Sequence, residues 1–160
     1  MGVSGSGKSS VAALLAGRLG WPFAEGDDMH PAANIAKMAA GHPLDDADRA
    51  PWLARVAAWI QQRRAAAEPG IVTCSALKRR YRDALRGPGV VFVYLAAPQE
   101  RIAQRLVARH GHFMPASLLD SQFAALEPPG PDENAITVDV TGTAQQTAEA
   151  IIARLGRIDA

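Results

Sequence analysis

The chain has one cysteine, almost no net charge and no long apolar run, and each absence excludes a class of protein. Cys74 alone cannot form a disulfide framework or a zinc site built from several cysteines. A formal charge of +1 does not favour nucleic acid or a membrane surface as the main partner. No stretch is apolar for long enough to cross a bilayer. We therefore expect a cytoplasmic protein whose 160 residues form one domain.

What the sequence does contain is a phosphate-binding motif. Residues 2–9 read Gly-Val-Ser-Gly-Ser-Gly-Lys-Ser and match the pattern G-x-x-x-x-G-K-[S/T] in full. In such a loop the backbone N–H groups point at phosphate oxygens, and Lys8 reaches the β- and γ-phosphates. The hydroxyl of Ser9 is expected to hold Mg²⁺. The motif predicts a nucleoside triphosphate site. We assign to it Gly2, Val3, Ser4, Gly5, Ser6, Gly7, Lys8, Ser9 and Ser10.

Apolar residues alternate between helical and strand patterns along the rest of the chain. Helical spacing predicts a helix after the loop that stops near Gly20, and a helix that is capped by Asp46 or Asp48. Strands alternating with helices are typical of a parallel three-layer α/β sandwich, and we predict that fold class. The other predicted helices cover 31–40, 98–109 and 144–155, and the predicted strands cover 21–25, 71–74, 90–95 and 136–140.

The phosphate-binding loop normally follows a buried strand, but here only Met1 precedes it. Because that strand lies in the middle of the sheet in this kind of fold, its loss would leave ladder groups unpaired. We therefore predict that Met1 is not the native start and that about ten or fewer residues, including an apolar β-branched run, precede it. The structure should then show parallel neighbours separated by a gap, or a substitute segment in it.

Acidic residues follow the first predicted strand, in the run Glu25-Gly26-Asp27-Asp28. A carboxylate at the C-terminal end of a strand faces the ligand crevice of an open α/β sheet. Phosphoryl transfer to an alcohol needs such a group to orient the hydroxyl and accept its proton. We assign that role to Asp27. The alternative is a solvated acidic turn, which is the interpretation we give to Asp28.

Four further motifs resemble those of bacterial gluconokinases, and the resemblance covers nearly the whole chain. It implies the fold of the shikimate-kinase-like and nucleoside-kinase-like P-loop enzymes. It also implies phosphorylation of the 6-hydroxyl of D-gluconate, with ATP and Mg²⁺ as cofactors. The motifs are G-D-x-x-H-P-x-x-N-x-x-K-M at 26–38, G-x-P-L-x-D-x-D-R-x-P-W-L at 41–53, C-S-A-L-K-x-x-Y-R-D-x-L-R at 74–86 and Q-F-x-x-L-E-x-P at 122–129.

The resemblance also implies roles for parts of the single domain at 1–160. A helical region at about 30–67 would bind substrate, and a lid at about 109–116 would close over the phosphates. The lid would deliver Arg105 and Arg109 to the charge that develops on the transferred group. Either Glu25 or Ser75 would hold Mg²⁺ through a water molecule. The residues assigned to D-gluconate are Asp27, His30, Asn34, Arg49, Lys78, Arg82, His112 and Gln122.

Some of these assignments rest on spacing and keep an alternative. Lys78 and Arg82 are four residues apart, hence on one face of a helix, and their cations suit the carboxylate of gluconate. His30 could bind sugar hydroxyls or could pack against its own helix. The loop near 141–143 is expected to contact adenine.

Two other functions stay open from the sequence. One is another small-molecule kinase of the same fold, of the shikimate or nucleoside type, although the motif at 74–78 argues against shikimate. The other is a nucleotide-binding protein without catalysis. The acidic pair Glu25 and Asp27 and the lid arginines argue against it. Members of the gluconokinase family are often dimers, so a homodimer is open, whereas nucleic acid and membranes are not expected as partners.

Overall fold

The computed structural model of the protein describes residues 1–108 and 116–156, in which short parallel strands alternate with helices. The strands are β1 Phe23–Ala24, β2 Ile71–Val72, β3 Phe92–Ala96 and β4 Ala135–Asp139. The helices are α1 Lys8–Leu19, α2 Ala32–Ala39, α3 Asp46–Ala65, α4 Arg79–Leu85, α5 Gln99–Ala108, α6 Ala116–Ala125 and α7 Ala144–Leu155, and a 3₁₀ helix spans Gly26–Met29. The predicted parallel α/β class is confirmed.

The strands form two parallel pairs, β1 with β2 and β3 with β4. Helices α1 and α7 pack on one face, and α3 and α4 pack on the other. Successive side chains of a strand point to opposite faces, so Phe92 joins the cluster under α3 and α4 whereas Val93 joins that of α1 and α7. The core therefore has the three predicted layers: helices, strands and helices.

Met1 lies between the two pairs of strands. Its carbonyl accepts a hydrogen bond from the N–H of Leu95 at 3.0 Å, and its amino group donates to the carbonyl of Val93 at 2.5 Å. On the other side the N–H of Gly2 donates to the carbonyl of Ser75 at 3.1 Å.

In the described part of the chain the two pairs of strands do not hydrogen-bond to each other, and a cavity of about 320 Å³ lies between them. It is lined mostly by apolar side chains, among them those of Leu15, Val56, Val72, Val93 and Ile151. The predicted gap between parallel neighbours is thus confirmed. Strand β2 ends after two residues, where its partner β1 also ends, and so before the predicted end at Cys74. The additional strand before Met1 stays a prediction.

The ends of two helices show which local signals were correct. Helix α1 ends at Gly20, as predicted, and Gly20 adopts the left-handed conformation at φ 68°. The cap of α3 is Asp45, so the prediction of Asp46 or Asp48 was wrong. The N–H of Asp48 donates to Asp45 Oδ1 at 2.8 Å and the N–H of Asp45 donates to Asp48 Oδ2 at 2.9 Å, which is a reciprocal capping box. Within residues 1–108 and 116–156, no helix combines the length and the apolar character needed to cross a membrane.

Candidate active site

The phosphate-binding loop connects Met1 to α1 and is held tightly by its neighbours. Gly5 has a φ of 79°, and a Cβ atom there would lie 3.0 Å from the side chain of Leu106, so only glycine fits without strain. The N–H of Ser4 donates to Oε1 of Gln122 on α6 at 2.7 Å. These contacts fix the loop between α5 and α6.

Two side chains of the loop are suited to receive phosphate. Lys8 Nζ donates to the carbonyls of Gly2 at 3.1 Å and Val3 at 3.0 Å, so its ammonium lies on the loop itself. Burial lowers the pKa of Lys8, and the nearby Asp27 carboxylate opposes this shift. The hydroxyl of Ser6 is buried and has no hydrogen-bond partner among the described residues. The donor set therefore fits a phosphate group.

Asp27 lies in the 3₁₀ helix that follows β1, and its side chain is exposed. Two hydrogen bonds fix this turn, one to the residue that follows β2 and one to α3. The N–H of Gly26 donates to Oγ1 of Thr73 at 3.0 Å, and Nε1 of Trp52 donates to the carbonyl of Gly26 at 2.7 Å. A Cβ atom on Gly26 would lie 1.9 Å from the carbonyl oxygen of Thr73, so any larger residue would displace the turn. The backbone that carries Asp27 is thus fixed in position.

The two candidates for holding a metal-bound water are Glu25, which follows β1, and Ser75, which follows β2. The hydroxyl of Thr73 donates to a carboxylate oxygen of Glu25, which orients that side chain. Ser75 is connected to the phosphate-binding loop because its carbonyl accepts the N–H of Gly2. Ser9, the predicted direct ligand, is exposed in the first turn of α1. Hydroxyl and carboxylate oxygens are the ligands that Mg²⁺ prefers, so the residues present fit this ion.

A cluster of cations surrounds the ring of Tyr81 at the start of α4. Lys78 Nζ and Arg80 Cζ are each 5.6 Å from the ring centroid, and Arg49 Cζ is 5.7 Å away. Asp46 accepts hydrogen bonds from Tyr81 Oη, from Arg80 and, at 3.3 Å, from Lys78. Lys78 and Arg49, both assigned to substrate, therefore lie in one cluster, which Arg80 joins, and their role in binding stays a prediction.

The structure contradicts the assignment of Arg82 to substrate. Its side chain is fully buried, with Nε 2.5 Å and Nη2 2.9 Å from the carboxylate of Glu133. Its Nη1 donates to the carbonyls of Ala76 and Leu77. The prediction failed because α4 begins at Arg79: Lys78 is outside the helix, so a spacing of four does not put the two cations on one face.

Asn34 and Gln122 also differ from their predicted roles. Asn34 is buried and its Nδ2 donates to the carbonyl of Asp48 at 2.8 Å, so its amide joins α2 to the start of α3 rather than facing substrate. Gln122 contacts the phosphate-binding loop through Ser4, so we move it from the substrate set to the nucleotide set. Both side chains are already hydrogen-bonded within the protein, which the sequence could not show.

His30 keeps the alternative that the sequence left open. Its ring stacks on Trp52 with centroids 4.4 Å apart and planes at 12°. Nδ1 of His30 lies 3.3 Å from Nδ2 of Asn34, and burial lowers the pKa of this histidine. His30 is therefore an uncharged residue that packs against Trp52 and Asn34.

A second cavity, of about 370 Å³, lies between the phosphate-binding loop, α5 and the connection from β4 to α7. Arg105 lines it and donates to the carbonyl of Val140. Gly142 is part of the wall, in the segment where adenine contacts were expected. Arg109 and His112, and with them most of the predicted lid, lie outside the described residues.

Comparisons with known proteins agree with this geometry. The profile of a family described as an AAA domain matches residues 1–129. The chain is 55% identical over 140 residues to a gluconokinase of Gluconobacter oxydans, covering 86% of this chain and 79% of the relative. It superimposes on a sugar kinase from a Janibacter species with a TM-score of 0.92 and 49% identity, covering 98% of this chain and 91% of the other. The corresponding values for a gluconokinase from Sinorhizobium meliloti are 0.86, 47%, 99% and 90%.

Proposed function

Since the chain belongs to the gluconokinase family, we propose that it transfers the γ-phosphoryl group of ATP to the 6-hydroxyl of D-gluconate. The observation that carries the proposal is the position of Asp27. Its carboxylate lies on a fixed turn near enough to Lys8 to oppose the fall in the pKa of that lysine. A carboxylate near the lysine of a phosphate-binding loop is what transfer to an alcohol requires.

The nucleotide side uses the loop and the second cavity. The backbone N–H groups of Gly5, Gly7 and Lys8 and the ammonium of Lys8 bind the phosphates, for which Lys8 exchanges its two carbonyl partners for phosphate oxygens. Arg105, beside the same cavity, adds positive charge. We assign Mg²⁺ to Ser9, with Glu25 or Ser75 holding one of its waters. When bound, this ion neutralises charge on the β- and γ-phosphates.

In the transfer step Asp27 orients the 6-hydroxyl of gluconate and accepts its proton. The hydroxyl oxygen forms a bond to the γ-phosphorus while the bond from that phosphorus to the bridging oxygen breaks, and ADP leaves. Lys8 and Arg105, together with Arg109 of the proposed lid, stabilise the charge that spreads over the transferred group. Closure of the lid would exclude water, which competes as an acceptor.

The cation cluster provides the specificity for an acid. Arg49, Lys78 and Arg80 carry three positive charges around Tyr81, and the carboxylate of Asp46 compensates one of them. The remaining positive charge fits the carboxylate of gluconate, at the opposite end of the substrate from the 6-hydroxyl. The region at about 30–67, which includes Arg49, would complete the substrate site within a single domain. The cytoplasmic location, the homodimer and the absence of a nucleic acid partner stay predictions.

The substrate is tested with a panel of acceptors in an assay of ADP release. We expect turnover with D-gluconate and little with D-glucitol, which has the same chain of hydroxyl groups but no carboxylate. Shikimate and deoxyadenosine serve for the alternative kinases of this fold, and ³¹P NMR of the product identifies the phosphorylated oxygen. Equal turnover with gluconate and glucitol would contradict the role of the cation cluster, and turnover with shikimate or the nucleoside alone would contradict the proposed function.

The role of Lys78 is tested by Lys78→Met. Because a hydrogen bond to a charged group contributes about 1.5–3 kcal/mol, we expect the KM for gluconate to rise at least about tenfold. The KM for ATP should not change. Arg79→Met is the matched control, since Arg79 is the next residue and its guanidinium pairs with Asp132 instead of joining the cluster. An equal rise of KM in both variants would remove Lys78 from the substrate site.

A further inference from the structure

The segment Ser75–Lys78, called here the β2–α4 loop, lies between β2 and α4 and has a backbone conformation that needs support. Ala76 has a φ of 43°, in the left-handed region that residues other than glycine rarely adopt. It is also buried, so water cannot hydrogen-bond to its carbonyl group. A conformation of this kind persists only when the surrounding structure fixes it.

Arg82 supplies that support from inside the protein. Its Nη1 lies 3.1 Å from the carbonyl oxygen of Ala76 and 3.2 Å from that of Leu77. Its other two nitrogens bind Glu133, which is itself held by the N–H of Gly130 at 2.9 Å. The exposed fractions of the two charged side chains are 0% and 3%. One guanidinium thus connects the carbonyls of the strained Ala76 and of Leu77 to a fixed carboxylate.

The β2–α4 loop connects the two halves of the candidate active site. At its start the carbonyl of Ser75 accepts the N–H of Gly2 in the phosphate-binding loop. At its end Lys78 belongs to the cation cluster around Tyr81. Between them, the carbonyl of Leu77 also accepts the N–H of Glu127 at 2.8 Å. The position of Lys78 relative to the phosphates therefore depends on the conformation that Arg82 holds.

We infer that the Arg82–Glu133 pair is a positioning device, which sets the β2–α4 loop and through it the affinity for the anionic sugar. The inference rests on the proposed function for its substrate. It goes beyond that function because it gives a role in binding to two residues that never contact a ligand. Arg82 acts through the carbonyls of Ala76 and Leu77, and Glu133 acts by fixing Arg82.

A stabilising role alone would not need this pair. Replacing a buried ion pair by apolar residues of similar volume is often neutral or stabilising, because the cost of desolvating both charges disappears. Apolar residues cannot donate hydrogen bonds to the two carbonyls, however. A double replacement therefore separates the stability of the fold from the positioning of the loop.

The test is the double variant Arg82→Met with Glu133→Leu. We expect it to fold with a modestly lowered Tm, because the carbonyl of Ala76 and the N–H of Gly130 lose their partners. We also expect a KM for gluconate raised about tenfold or more and a KM for ATP within about twofold of the wild type. Amide hydrogen exchange over residues 75–78 and at Glu127 should become faster. The matched control is Arg79→Met with Asp132→Leu, which removes the exposed ion pair between the same two segments and touches no carbonyl of the loop.

Wild-type KM and wild-type exchange in the double variant would overturn the inference. If that variant does not fold, Arg82→Lys decides, because one ammonium cannot serve both the carboxylate and the two carbonyls; unchanged exchange and KM would again overturn it. A wild-type protein that does not phosphorylate gluconate defeats the proposed function instead. The exchange measurement then still tests whether the Arg82–Glu133 pair holds the β2–α4 loop, because it needs no turnover.

Discussion

Asp27→Asn is expected to lower kcat by about 10²- to 10⁴-fold, the usual cost of losing a general base. Asparagine has nearly the same shape and can still hydrogen-bond to the 6-hydroxyl, but it cannot accept the proton. The turn itself should not move, because it is held through Gly26 by Thr73 and Trp52 rather than through the side chain of residue 27. ATP binding should be retained, since the phosphate-binding loop is unchanged.

The measurement combines steady-state kinetics with direct binding of ATP by calorimetry. Asp28→Asn is the matched control: Asp28 is the next residue in the same 3₁₀ helix, is exposed, and has no role in the proposed mechanism. We expect this control to keep wild-type kcat. If Asp27→Asn retained wild-type kcat, or if both variants lost activity equally, Asp27 would not be the general base.

The nucleotide half of the site was predictable from sequence because its chemistry is local. Residues 2–9 are contiguous, and the conformation of the loop follows from the order of its glycines and from the helix behind it. The position of Asp27 could also be predicted from the sequence. A carboxylate that closely follows a strand of a parallel sheet is expected to face the ligand crevice. In both cases a few neighbouring residues decide the geometry.

The substrate half was less predictable because it depends on where a helix begins and on partners far along the chain. The spacing of Lys78 and Arg82 implies one face only if both residues are helical, and α4 starts one residue too late. Glu133, which takes the charge of Arg82, is 51 residues away. Asn34 likewise has its partner on α3. The hydrophobic pattern carries no signal for such long-range polar pairs.

The cation cluster shows the same limit from the opposite direction. Arg80 reads as an ordinary solvated charge in the sequence, because basic runs usually are. In the structure it meets Asp46, whose carboxylate also accepts hydrogen bonds from Tyr81 and Lys78. The sequence carries no local signal for this contact, because Asp46 and Arg80 are 34 residues apart.

Glu133→Gln is expected to destabilise the fold by about 3–5 kcal/mol at neutral pH, which is typical when one member of a buried ion pair is removed. The guanidinium of Arg82 would stay buried, since its Nη1 is bound to the carbonyls of Ala76 and Leu77. The amide nitrogen of the new glutamine would face a donor of Arg82 in place of a carboxylate oxygen. The positive charge would therefore lose its compensation where water cannot supply it.

The pH dependence gives this prediction a second, independent readout. The hydrogen bonds from Arg82 lower the pKa of Glu133 to about 2 from an ordinary value of 4.5. A carboxylate whose pKa is lower in the folded state contributes stability above its unfolded pKa and loses it as the pH falls through the folded one. The stability difference between wild type and Glu133→Gln should therefore be constant from pH 7 to about pH 5 and should shrink between about pH 4.5 and pH 2.

Urea unfolding of both proteins at pH 7, 5 and 3 measures this difference. Other carboxylates with a lowered pKa, such as Asp46 and Asp48, weaken both proteins alike in acid, so only the difference reports Glu133. Asp132→Asn is the matched control: it breaks the adjacent pair with Arg79, which is exposed and screened by solvent, so we expect a much smaller effect. A difference that stayed constant down to pH 3, or equal losses in the two variants, would mean that Glu133 is not held ionised by Arg82.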